Sequence, residues 1–170
     1  AFEAKVTSLG GHVHRAATGA EANAKIAELC RERGARLAVQ AKSMTAEETG
    51  LHDALKAAGV TAVETDLGEY IVQALGDRPS HILTPAVHLS AVDVAELFGR
   101  LSGRRFDPDD TEGLVQYARQ ALREKFLQAD VGISGGNFLV AETGSLILVE
   151  SEGNIRLCTS LPRMHIALVG

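Results

Sequence analysis

The chain has no tryptophan, 4% aromatic residues, two cysteines and four prolines in 170 residues. So few flat side chains leave little on which unpaired bases could stack, which argues against single-stranded nucleic-acid binding. Blocks of lysine and arginine are missing too, and the formal charge is −5. Neither nucleic acid nor an anionic membrane surface is therefore the expected partner, since both reward clustered positive charge. No apolar run approaches the roughly 20 residues that cross a bilayer, and the opening AFEAKVTSLGG lacks the basic-then-apolar order of a signal peptide. Cys30 and Cys158 are expected as free thiols, because a chain that is 45% hydrophobic builds a core without a staple. The length suits one core, so one domain over 1–170 is expected. The final HIALVG stops inside what reads as a buried strand, as in a piece excised from a longer chain.

What is present is an alternation. Four helix starts show a short oxygen-bearing residue followed three positions on by an acid, a pair that satisfies orphan N–H groups: Thr18 with Glu21, Thr45 with Glu48, Asp66 with Glu69, Ser90 with Asp93. Apolar residues at helical spacing follow each start, and Gly34, Gly59, Gly76 and Gly103 supply stops. Between the helices lie short apolar runs that read as strands, Leu37–Val39, Thr61–Val63 and His81–Leu83. The β-α-β-α order implies parallel strands with helices on both faces, an α/β, three-layer, Rossmann-like domain. A loop at Arg104–Asp110 leads to a longer helix through Leu114, Ala118, Leu122 and Phe126. The last third is read as strand-rich and part of a mixed sheet: Asp130–Ser134, Asn137–Ala141, Ser145–Glu150 and His165–Val169, with AETGS as a tight hairpin connection.

In an open α/β sheet the ligand crevice lies beyond the carboxyl ends of the strands. The residues there are Lys42, Ser43 and Met44, then Thr65 and Asp66, then His88, then Gly135, Gly136 and Asn137. A polar set with one cation suits a small anionic ligand meeting helix N-termini, although Asp66 as a helix cap and Lys42 as a solvated lysine are the plainer alternatives. Glu142, between apolar strand residues and the Thr143-Gly144 turn, is expected to be partly buried, which would raise its pKa and suit it to act as nucleophile, base or anchor. A hydrogen-bonded turn carboxylate explains it equally well. His12 and His14 would share one strand face, but no third ligand stands at a metal-binding spacing, so no metal site is expected.

The stretches KSMTAEETGLHDALKAAGV, ETDLGEYIVQ, PSHILTPAVH, GISGGN, AETGSLILVESEGNIRL and LPRMHIALVG resemble, in order and from about Gly11 to Gly170, the LUD domain of the lactate-utilisation iron–sulfur protein family. The resemblance implies a fold similar to the ribose-phosphate isomerase and coenzyme A transferase group. It also implies a cytoplasmic, multi-subunit system that oxidises L-lactate to pyruvate and passes electrons on. In full-length relatives two four-iron clusters sit in a further, ferredoxin-like domain held by cysteine runs. This chain has no such run, so no cofactor is expected in it. Where the family carries a second basic residue before KSM, this chain has Gln40 and Ala41. Ala141-Glu142-Thr143-Gly144 is similar to the nucleophile context of the coenzyme A transferases. Three readings follow: an electron-transfer or assembly component contacting the other subunits and a small ligand, a transferase- or isomerase-like enzyme acting through Glu142 and Lys42, and a structural docking module.

Overall fold

The computed structural model describes residues 1–77, 79–80 and 84–170. Among these the elements run α1 (Phe2–Ser8), α2 (Gly19–Glu32), β1 (Leu37–Gln40), α3 (Met44–Thr49), α4 (Leu51–Ala57), β2 (Thr61–Glu64), α5 (Leu67–Leu75), α6 (Ala91–Ser102), α7 (Thr111–Gln128), β3 (Val131–Ser134), β4 (Phe138–Val140), β5 (Ser145–Ile147), α8 (Asn154–Ser160) and β6 (Met164–Ala167). The strand expected at His81–Leu83 lies outside the described residues.

Three of the four expected caps form. Thr18 Oγ1 accepts from the Glu21 amide at 3.2 Å, Asp66 Oδ1 from the Glu69 amide at 3.1 Å, and Ser90 and Asp93 make a reciprocal capping box. The fourth belongs to Ser43, whose Oγ accepts from the Ala46 amide at 3.3 Å, while Thr45 lies inside α3. The single helix expected there is two, because Gly50 takes φ 69° and ends α3 before α4 begins.

The strands β2-β1-β3-β6 form one parallel sheet in that order. On one face Ala38, Val131 and Ile133 pack with Ile26, Leu51 and Leu55 from α2 and α4; on the other Val39 and Val63 meet Leu122 and Phe126 of α7 and Cys158 of α8. Helix α6 lies further out, its Phe98 ring 4.8 Å from Tyr117 on α7. This is the α/β, three-layer arrangement that the alternation implied.

The last third differs in detail. β3 and β6 complete the parallel sheet, whereas β4 and β5 pair only with each other, antiparallel. The sheet itself is therefore not mixed, and α8 fills the stretch between β5 and β6. The opening residues fold as α1, and His12 and His14 are exposed in irregular chain, so they have no strand face to share.

Candidate functional site

β1 lies between β2 and β3, so the chain reverses direction across the sheet at that point, and its crevice is flanked by Lys42 and Ser43 after β1 and by Gly135 and Gly136 after β3. A Cβ on Gly135 would stand 2.9 Å from Ser43 Oγ, so the two loops already touch. Met44 opens α3 with its side chain exposed.

The chemistry is concentrated one step away, beyond β1 and β2. Glu64 Oε1 accepts from Gln40 Nε2 at 2.9 Å, and the Glu64 amide donates to Gln73 Oε1 at 3.1 Å. Burial, reinforced by the charges of Glu69, Asp66 and Glu47, pushes the Glu64 carboxyl up to about 8. Lys42 Nζ stands 3.5 Å from Glu69 Oε1, and burial still raises Glu69 above the usual carboxylate range. Glu152 Oε2 accepts from the Leu67 amide at 3.3 Å, beside the cap Asp66; burial and the Asp66 charge raise Glu152 as well. Asp66 and Glu152 also line an open cavity of about 340 Å³, with Leu67, Ile71, Pro85 and Val87.

Thr65 is buried beneath this nest. Its Oγ1–H donates to the Gln40 carbonyl at 2.9 Å, Asn154 Nδ2 donates to Thr65 Oγ1 at 3.3 Å, and Cys158 Sγ is 3.5 Å away. Burial pushes the Cys158 thiol up to about 11, which keeps it inert as a nucleophile. Near the end of β3, Ser134 Oγ is 2.8 Å from His165 Nε2 and 3.0 Å from the Gly135 carbonyl. Ser134 is fully buried, so the pair locks two strand ends together and presents no hydroxyl to a substrate.

The remaining candidates are dispersed. The Asn137 amide donates to the Ile147 carbonyl and Asn137 Oδ1 accepts from the Val149 amide at 2.8 Å, tying the base of the hairpin. Leu146 covers Gly136 so closely that a Cβ added there would push its side-chain tip aside. Thr143 Oγ1 donates to Ser145 Oγ within the turn, and Gly144 sits against Lys5 and Val6 of α1. Glu142 is exposed on that turn, not partly buried as expected, because the tip of a two-stranded hairpin outside the main sheet has solvent around it. His88 bonds Ser80 at 2.7 Å and faces Asp77 at 3.4 Å, within its own segment.

Lys42, Thr65 and Asp66 are thus brought together, and Ser43 meets Gly135 next to them. Strand-end reasoning passed over Glu64 and Glu152; the first could have been suspected as an acid closing an apolar parallel strand, where neither face is free. Lys42 is the nest's counter-charge, so Lys42→Met should destabilise by about 1–2 kcal/mol at pH 8 and by clearly less at pH 5, where Glu64 is neutral. Urea titrations at the two pH values measure this, and equal losses would contradict it.

No group of three or more His, Cys, Asp or Glu side chains able to hold a metal occurs among the described residues. Cys30 and Cys158 are buried on opposite faces of the sheet, a placement that cannot serve one iron–sulfur cluster. No helix among the described residues is long and apolar enough to cross a membrane.

Comparison with known proteins gives a consistent picture. The family model described as the LUD domain matches residues 1–170. The chain is 45% identical, over 98% of its length, to the electron transport protein YkgF of Escherichia coli strain K12. It is 45% and 46% identical, over 97% of its length, to proteins named lactate utilization protein B in Macrococcus caseolyticus and Shouchella clausii. It spans only 35% of the length of each of these three relatives. No solved structure matches it.

Proposed function

The chain belongs to the LUD domain family, and on that premise we propose that it acts as the LUD portion of an iron–sulfur electron-transfer subunit in the oxidation of L-lactate to pyruvate. It would work in the cytoplasm, in contact with the other subunits of a lactate-utilisation system. The observation that carries this reading is the match along nearly the whole chain, at 45–46% identity, to proteins named for lactate utilization. The name of the Escherichia coli relative adds electron transport. The clusters would be held by the part of the longer polypeptide outside this segment, since the two cysteines here stand apart.

A small anionic ligand at the strand ends belongs to the same proposal, with Lys42 as its cation. Lys42 is already paired with Glu69 and lies among Glu47, Glu64 and Asp66, so an anion would have to displace a carboxylate. The acids weigh against the ligand half of this reading. No observation favours the transferase-like alternative, as Glu142 is exposed and makes no hydrogen bond among the described residues.

The test is a chimera in which this chain replaces the matching segment of a lactate utilization protein B, expressed in a strain lacking that protein. Growth on L-lactate should return, with growth on pyruvate unchanged throughout. A chimera that accumulates normally and leaves the strain unable to use lactate would overturn the proposal.

A further inference from the structure

The hairpin β4–β5 exposes an apolar face that the fold leaves uncovered. Phe138 pairs with Ile147 across the hairpin, so their side chains share one face, and Val149 follows two residues later, just beyond the end of β5. These three are 64%, 44% and 67% exposed. The opposite face carries Leu146, which lies over Gly136 and reaches toward Val169. A two-stranded hairpin outside the main sheet is marginal by itself in water. The tip here is braced by α1, a helix with no buried residue of its own. Solvated strands usually carry charge outward as protection against pairing. From Val131 to Val149 the only charged residue is Glu142, in the turn. Depletion of charge around exposed aromatic and aliphatic side chains marks the centre of an interface.

Each of the three relatives is nearly three times as long as the segment it shares with this chain. A tethered remainder of that size meets the hairpin at an effective concentration no free partner attains. We propose that the Phe138–Ile147–Val149 face docks, in the longer polypeptides of this family, against an apolar surface of the rest of the same chain. The proposal rests on the reading that this segment works as part of such a longer protein.

Hydroxyl-radical footprinting of this chain and of the chimera described above tests it. Oxidation of Phe138 should fall several-fold in the chimera, while Leu127 on α7, 64% exposed, is oxidised equally in both and serves as the control. The double variant Phe138→Ser, Val149→Thr should leave the melting temperature of this chain nearly unchanged and make the chimera more sensitive to limited proteolysis. Equal oxidation of Phe138 in both proteins overturns the proposal. Protection in this chain alone that grows with its concentration also overturns it, in favour of a second copy. Protection of the chimera only after the other subunits are added overturns it in favour of a separate partner. Protection in a chimera that fails to restore lactate growth would sink the functional reading and leave the docking surface standing.

Discussion

Gly132→Ala is expected to cost more than about 3 kcal/mol, a large share of the 5–15 kcal/mol that holds a typical domain together. Gly132 sits in β3 between Val39 of β1 and His165 of β6, at the point where α8 crosses the sheet. A Cβ there would overlap the carbonyl oxygen of Cys158 and stand 3.2 Å from Pro162 Cγ. Both are backbone or ring atoms with nowhere to turn, so the methyl group can be accommodated only by lifting α8. That displacement has its own signature. Cys158 is fully buried and its thiol is raised by burial, so it should react with a thiol reagent in the variant at low denaturant and remain silent in the parent. Gly59→Ala is the comparison, because Gly59 has φ 79° with open space around it and should lose only about 1 kcal/mol from backbone strain. Similar melting temperatures for the parent and Gly132→Ala would show that α8 is not seated as described.

Such close approaches are where the sequence was least legible. Helices that begin with a cap and carry an apolar stripe were readable because both signals are local, as at Thr18, Asp66 and Ser90. Ser43 and Thr45 are two residues apart, and only Thr45 is followed after three positions by an acid; yet Ser43 takes the cap, since its hydroxyl alone reaches the Ala46 amide. α1 and α8 were not readable: neither has a side-chain cap, and each is held by contacts from far along the chain, Gly144 against Lys5 and Gly132 against Cys158. The strand-end rule picked out Lys42, Thr65 and Asp66, which follow β1 and β2, two strands that lie side by side. The partial burial expected of Glu142 did not follow, because alternation along β4 and β5 describes a hairpin that has solvent on one side. The strand-end rule also passed over Glu64, because a charge inside an apolar strand is ordinarily taken to face outward, and a parallel sheet covered on both faces has no outward side.

Glu64 carries the other large effect, and it depends on pH. In the unfolded chain its carboxyl titrates near 4.5, and in the fold it is pushed up to about 8 by burial and by Glu69, Asp66 and Glu47. Between these values the folded state holds a proton that the unfolded state has released. Unfolding is then favoured by rising pH, at about 1.4 kcal/mol per pH unit for one proton. The stability is fully present below pH 4.5, declines through neutrality and levels off above about 8, for a total on the order of 3–5 kcal/mol. Glu69 and Glu152 are also raised and add losses of the same sign, whereas burial lowers His165 and so favours folding as pH rises through the ordinary histidine range. Those background groups are removed by comparison with Glu64→Gln, which cannot ionise and keeps a carbonyl oxygen for the Gln40 amide at Oε1. Urea unfolding at pH 5, 6.5 and 8 should find the variant close to the parent at pH 5 and more stable by about 2 kcal/mol or more at pH 8. Parallel pH profiles would mean that Glu64 is ionised in the fold, with Lys42 neutralising it, and the acidic nest would then be a solvated cluster instead of a protonated core. The outcome therefore also decides what Lys42 can offer a ligand. If Glu64 is neutral at pH 7, Lys42 answers chiefly to Glu69, and an anion competes with one carboxylate; if Glu64 is ionised, it competes with two.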